Sequence, residues 1–347
     1  MAFGIKFLYE RNKFFKPQLN LARSTSARMW IINACAFMVI LQSSISDSFS
    51  SLLIAIASVF AALLTEFIFI YKSGKFNTLK DGSTIATALI LTLLLPNRIS
   101  PFHAAMGAVF AIAVIKYSFG GLGSNWLNPA LGGWLFIRFS WAASFNNALE
   151  GSLLMNGSIP IPSNPLPLSP LDGGFRDFLN ERFFSLFGAG IPEGYLGLLN
   201  SPHNGIIADR GIFALLLGTI IIAAFRAGRT WVPFLFITVF SFLIRAFGNY
   251  ENGTFTGDII FSLFSGGSLV AAFLLISEPA SSAKSNWGIF GLVILSAIIT
   301  YLFRFTGREP YGVIYAVLFI NAITPIVKIL ENKLLYGKPV KIRIGND

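Results

Sequence analysis

The chain has 347 residues, 54% of them hydrophobic and 12% charged, and a formal net charge of +10; its mean hydropathy is +0.68. A water-soluble domain would hold roughly a quarter charged residues, so composition excludes that class and points to the bilayer. The positive charge does not indicate a nucleic-acid partner, because Lys and Arg stand at the ends of apolar runs, where lipid head groups meet them.

The first 28 residues are basic (Lys6, Arg11, Lys13, Lys16, Arg23, Arg28) and lack an apolar core leading to small residues, so no cleavable signal peptide is expected. A membrane-crossing helix needs roughly 17 to 25 residues. Apolar runs near that length occupy 29–46, 51–71, 103–118, 130–145, 211–226, 230–247, 288–304 and 312–330. Two more, 83–95 and 265–277, are shorter or broken by small residues. Together they predict an all-α polytopic membrane protein with ten transmembrane helices. Between the fifth and sixth runs, 146–210 holds most of the prolines and many acids, among them Glu150, Asp172, Asp177, Glu181, Glu193 and Asp209. The chain thus divides into a basic N-terminus (1–28), five spans (29–145), a loop (146–210), five more spans (211–330) and a basic tail (331–347).

Positive residues in short loops set orientation. Lys72, Lys75 and Lys80, Arg226 and Arg229, Lys284, and Lys333, Lys338, Lys341 and Arg343 all fall on the side of the N-terminus. Arg98, Arg304 and Arg308 are exceptions. Both termini are therefore expected in the cytoplasm and the long loop outside.

"GSTIATALILTLLLP" (82–96) is similar to "GSLVAAFLLISEP" (267–279): each starts Gly-Ser, runs apolar and stops at proline. These are the third and eighth spans. An odd offset of five places the copies in opposite orientation, the mark of two inverted five-helix repeats whose interrupted segments meet at a functional site.

Charge inside a span is costly and calls for a reason. Arg138, inside "GGWLFIRFSWAASF", is expected to face protein, pairing with a carboxylate or contacting a ligand. Glu66 lies near an inner span end, where snorkelling and an ion role are equally open. Arg245 and Asp258 read as interfacial. Asp81 opens the third span, where it can cap free N–H groups and would also suit a cation. Cys35, the single cysteine, reads as filler and can form no internal disulfide. His103 and His203 lie far apart, and no metal site is expected. No catalytic triad, P-loop or dinucleotide fingerprint is present. In "KYSFGGLGSNWLNPA" (116–130), Gly120, Gly121 and Gly123 permit positive φ or close approach to a flat ring. Asn125 and Asn128 can cap helix ends or bind a ligand. A tight reversal and a binding loop remain equally open here.

Three stretches then carry a family resemblance: 78–133, from "TLKDGSTIATALILTLLLP" to "FGGLGSNWLNPALGG"; 265–288, "SGGSLVAAFLLISEPASSAKSNWG"; and 307–329, "GREPYGVIYAVLFINAITPIVKI". The chain resembles RnfD of the Rnf electron-transport complex and, more distantly, NqrB of the sodium-pumping NADH:quinone oxidoreductase. The resemblance implies a membrane protein, placed with the other subunits of an Rnf/Nqr-type complex in the bacterial cytoplasmic (inner) membrane, that relays electrons coupled to Na+ or H+ transport. It implies two cofactors, FMN joined by its phosphate to a hydroxyl of the outer loop and riboflavin held non-covalently. It also makes the glycine loop, with Gly120, Gly121, Gly123, Asn125 and Asn128, the lining of an inner flavin or electron-exchange site. Asp81 and Arg138, from their placement in the spans, are the candidates for ion or charge coupling.

The attachment motif departs from the family pattern. "SNPLPLSPLDGG" (163–174) places Ser169 at the acceptor position before Pro170-Leu171, but Ser163 replaces the leading acid, and Leu166, Pro167 and Leu168 replace small residues. Ser265-Gly266-Gly267-Ser268 reads as close helix packing. On residue physics alone, a secondary transporter or channel fits equally well, and a scaffold protein of the complex without redox activity is a third reading.

Overall fold

A computed structural model describes residues 24–336, apart from 74–75, 119, 122, 124, 126, 153–172, 188–189, 201–202, 249–254, 256, 279–280 and 308. Helix dominates, and no β-strand occurs among the described residues. α1 (Thr25–Ser46) and α2 (Ser50–Ser73) are long. α3 (Ser83–Leu94) is short, and α4 (Pro101–Phe110) continues as a π-helix over Ala111–Tyr117. α5 (Pro129–Ser140) breaks at Trp141 before α6 (Ala142–Leu149), so the expected fifth span is two helices. Beyond it lie α7 (Gly174–Arg182), α8 (Ile207–Arg210), α9 (Ile212–Ala224) and α10 (Trp231–Phe247). α11 (Ile259–Leu263) precedes α12 (Ser268–Val270), which runs on as a π-helix over Ala271–Leu275. α13 (Asn286–Tyr301), with a π-helix over Leu302–Thr306, and α14 (Gly312–Tyr336) complete the chain.

Local chemistry explains the starts. Ser24, Ser100, Asn128, Asp258 and Ser285 each place a side-chain oxygen on a free N–H of the helix that follows. Pro101 and Pro129 sit in the first turn, where the missing N–H costs nothing. α3 ends at the turn carrying Pro96, whose strand-like bridge to Ile206 ties it to the segment before α8.

Among the described residues, four segments, Thr25–Ser46, Ser50–Tyr71, Asn286–Thr306 and Gly312–Lys333, are long and apolar enough to cross a membrane. Large side chains such as Phe60, Ile68, Phe213, Ile220 and Trp287 stay exposed on the helix surfaces, as lipid contact requires. The protein is a multi-pass membrane protein. Its core is continuous from one half to the other: α1 packs on α9, and α3 packs on both α1 and α8. Small residues permit the closest approaches. A Cβ on Gly133 of α5 would lie 2.6 Å from the carbonyl oxygen of Gly107 on α4, and one on Gly218 of α9 would lie 3.1 Å from the Cβ of Cys35.

Candidate functional site

Two short helices in the interior start alike. Gly82 (φ 75°, ψ 0°) precedes Ser83 of α3, and Gly267 (φ 75°, ψ 14°) precedes Ser268 of α12. This left-handed entry favours glycine. Each serine then meets a buried cation carried on a π-helix. Lys116 Nζ donates to Ser83 Oγ at 2.8 Å, to Thr84 Oγ1 at 2.5 Å and to Glu66 Oε1 at 3.1 Å. Tyr117 also donates to Glu66 Oε1, at 2.9 Å. Arg304 Nη1 donates to Ser268 Oγ at 2.7 Å and to the Ser262 carbonyl at 2.6 Å, and Nη2 to Ser265 Oγ at 3.1 Å.

A carboxylate completes each cluster. Asp209 accepts the N–H groups of Gly266 and Gly267 at 2.8 and 2.9 Å. The successive left-handed glycines form a backbone nest for it. Asp209 lies on α8, outside the spanning helices, and burial pushes its carboxyl up to about 7 against the pull of those N–H groups and Arg304. Ser265–Ser268 therefore does more than allow helices to pack: its hydroxyls hold Arg304 and its N–H groups hold Asp209.

Between the two short helices lies a cavity of about 310 Å³. Its lining draws on both halves of the sequence: Arg28, Met29 and Ile32 of α1, Ser83, Thr87 and Ile90 of α3 and Lys116, with Ile222, Gly228, Phe273, Leu274, Ser277 and Glu278. The glycine loop closes it with Gly123, Asn125 and Asn128. Gly120, Gly121 and Gly123 all have positive φ (98°, 91° and 90°), and Gly121 and Gly123 have open space where a Cβ would point. Their need for glycine is conformational, not steric. Gly120 and Gly121 do not line the cavity; their N–H groups close the π-turn onto Tyr117 and Lys116 carbonyls.

Asn128 does two jobs. Its Oδ1 caps α5, accepting from Ala130 N at 2.9 Å and Leu131 N at 3.4 Å, while its Nδ2 donates to Glu278 Oε2 at 2.6 Å. Asn125, oriented as its neighbours require, donates to the carbonyls of Ile115, Lys116 and Gly121 at 3.2–3.3 Å. Glu278, just beyond α12, also accepts from Ser281 Oγ at 3.2 Å. Burial pushes its carboxyl up to about 7, opposed by the Ser281 and Asn128 hydrogen bonds.

The remaining sequence candidates lie elsewhere. Asp81 lies two residues before α3, and its Oδ1 accepts from Ser83 N at 2.7 Å. Arg138 is in the last turn of α5, half-buried, with its guanidinium 5.1 Å from the Phe145 ring, not at mid-span and not in the cavity, because the helix ends at Ser140. Asp258 caps α11 and accepts from the Tyr195 hydroxyl. Cys35 is buried against the Gly218 carbonyl. His103 lies against Trp141, the rings tilted by 37° with centroids 4.8 Å apart, away from His203 beside Arg210. Ser169 lies outside the described residues.

Sequence reasoning missed Lys116, Glu278 and Asp209. Lys116 interrupts the apolar run "AIAVIKY" and carries the signal of a buried intramembrane charge. Arg304 stood out as an exception to the charge count, and the exception was the clue: it is buried among serines rather than exposed in a loop.

Among curated proteins, the chain is similar to components of ion-translocating redox complexes, each designated D within its complex. It is 27% identical over 321 residues to that of the proton-translocating ferredoxin:NAD(+) oxidoreductase complex of Clostridium ljungdahlii, covering 92% of this chain and 94% of that one. It is 28% identical to that of the ion-translocating oxidoreductase complex of Erwinia tasmaniensis, covering 82% and 86%. It is 26% identical to that of the Na(+)-translocating ferredoxin:NAD(+) oxidoreductase complex of Acetobacterium woodii, covering 80% of each. The family model for NQR2, RnfD and RnfE matches residues 14–337. Along nearly its whole length, the chain therefore belongs to the NQR2, RnfD, RnfE family.

Proposed function

We propose that this protein is the RnfD component of an Rnf-type complex in the bacterial cytoplasmic membrane, relaying electrons through flavin in step with Na+ or H+ movement. The match to components of such complexes over at least four-fifths of their length supports the assignment. The ten apolar runs, with the paired Gly-Ser starts of α3 and α12, favour ten crossings in two inverted halves. The loop charges favour cytoplasmic termini.

One observation carries the flavin reading: the cavity between the two short helices. Its volume is in the range of ligand pockets. Its lining is mostly apolar (Ile32, Ile90, Leu274, Phe273), with a few polar groups among them. Arg28 Nε, on that lining, is buried without a hydrogen-bond partner, a donor suited to a flavin oxygen. Bound there, riboflavin would supply the exchange between one- and two-electron carriers. The chain's own part is to hold the ring between apolar walls, exclude water and present Arg28 to its polar edge, with Asn125 and Asn128 fixing the loop beside it. Ser169 is the acceptor hydroxyl that the resemblance gives for covalent FMN.

The test is the flavin content of the complex purified with its native attaching enzyme. Acid extraction should release about one riboflavin per chain, and Ala86→Trp, which fills the cavity from α3, should abolish it while the protein still elutes as a folded species. A wild-type complex without extractable flavin overturns the cavity assignment. A denaturing gel reads the covalent site: a fluorescent band lost in Ser169→Ala is expected, and a band that persists moves the attachment elsewhere.

A further inference from the structure

At the start of α3 one buried ion pair lacks a full set of hydrogen bonds: Glu66 brings the carboxylate and Lys116 the ammonium, while half-buried Asp81 is taken up in capping the helix through Ser83 N–H. The three ammonium protons of Lys116 go to Glu66 Oε1, Ser83 Oγ and Thr84 Oγ1 at 3.1, 2.8 and 2.5 Å. One carboxylate and two hydroxyls around a point supply three oxygens of the hard oxygen shell that small cations take. The second carboxylate oxygen, Glu66 Oε2, is buried and has no hydrogen-bond partner, although the side chain is only 1% exposed. A structural ion pair at this depth is expected to satisfy both oxygens.

The ammonium is also held against the local field. Ser83 and Thr84 are the first residues of α3, and a helix N-terminus bears about half a positive charge. Glu66, not the helix, therefore retains Lys116. Lysine is a compact charge on a flexible stem. Both Lys116 and Ser83 line the 310 Å³ cavity, whose lining also includes Asn125, Ser277 and Glu278, so the cavity gives the ammonium a place to withdraw. The matching cluster in the other half differs on each count: Arg304 cannot lose its charge, and its planar fork is fixed on Ser262, Ser265 and Ser268.

We propose that Glu66, Ser83 and Thr84 form a binding site for a small monovalent cation, which the Lys116 ammonium fills as a tethered occupant. When Lys116 swings into the cavity, the carboxylate and two hydroxyls take up an ion. The site adds a named place of ion uptake to the ion-translocating reading but does not depend on flavin: a chain shown to lack flavin would leave it standing.

The experiment uses the full-length chain in lipid nanodiscs with sodium chloride or choline chloride. Wild-type protein should show the same unfolding temperature in both salts. Lys116→Met empties the site, and its unfolding temperature should rise with sodium and not with choline. Lys116→Met/Glu66→Gln removes the carboxylate as well, and the sodium response should vanish. A Lys116→Met protein recoverable only in sodium is the same result in stronger form. A folded Lys116→Met without a sodium response overturns the proposal; so does failure to recover it in sodium as in choline, because a shell that accepts sodium would fold around it. A sodium response that survives in the double variant places the ion elsewhere and also overturns it.

Discussion

Asn128 joins the glycine loop, the start of α5 and the end of α12 through one amide. Asn128→Ala should cost about 1 kcal/mol for the lost cap and, beyond that, leave Glu278 without its shortest partner. Asn128→Ser retains a capping oxygen but cannot reach Glu278, so comparing thermal unfolding of the two variants separates the roles. Glu278 itself predicts a pH dependence. Its folded pKa, about 7, lies above the ordinary 4.5, so folding favours the protonated form. That contribution is whole below about pH 4.5 and is lost as pH rises through 7. Unfolding temperature should therefore fall across this window in wild type and fall less in Glu278→Gln. Glycine positions divide by cause. Gly133→Ala drives a Cβ against backbone, the Gly107 carbonyl, which cannot yield like a side chain; a loss of about 1–3 kcal/mol is expected.

Among the elements, the two short helices and the π-helices act as pairs. A π-turn places one extra residue in the helix and redirects its side chains; here two such turns aim Lys116 and Arg304 at the first hydroxyls of α3 and α12. Arg304→Met would take the nearby positive charge from Asp209, which keeps the Gly266 and Gly267 N–H groups, and would leave the oxygens of Ser262, Ser265 and Ser268 without their donor, a change expected to cost about 1–3 kcal/mol. Arg304→Met/Asp209→Asn removes both charges and should recover part of that loss. A double-mutant cycle on unfolding temperature checks it, and additive losses would show the two groups to be independent. These couplings were not legible in the linear chain. The Gly-Ser starts were visible as a repeat, but the partners lie 33 and 36 residues away on other helices. Only folding shows that Ser265–Ser268 binds charge.

For the molecule as a whole, the loop charges predict sidedness. With Cys35 replaced by Ala, a cysteine introduced at Gly174 should react with an impermeant thiol reagent from the outside, and one at Lys80 from the cytoplasmic side. Labelling of both from one side would overturn ten crossings with cytoplasmic termini. Composition and hydropathy by themselves determined membrane residence, the placement of helix along each apolar run and the glycine loop as a place of note, because burial in lipid demands apolar length and internally bonded backbone whatever the partners. Caps such as Asn128 and Pro129 were legible too, since a cap is a contact within a few residues. The break at Trp141, the final-turn position of Arg138 and the cavity were decided by tertiary structure alone. So was the pairing of Lys116 with Glu66, 50 residues apart. The physical reason is the same in each case: a buried charge chooses its partner by distance through space in a medium without water, and the order of residues along the chain does not contain that distance.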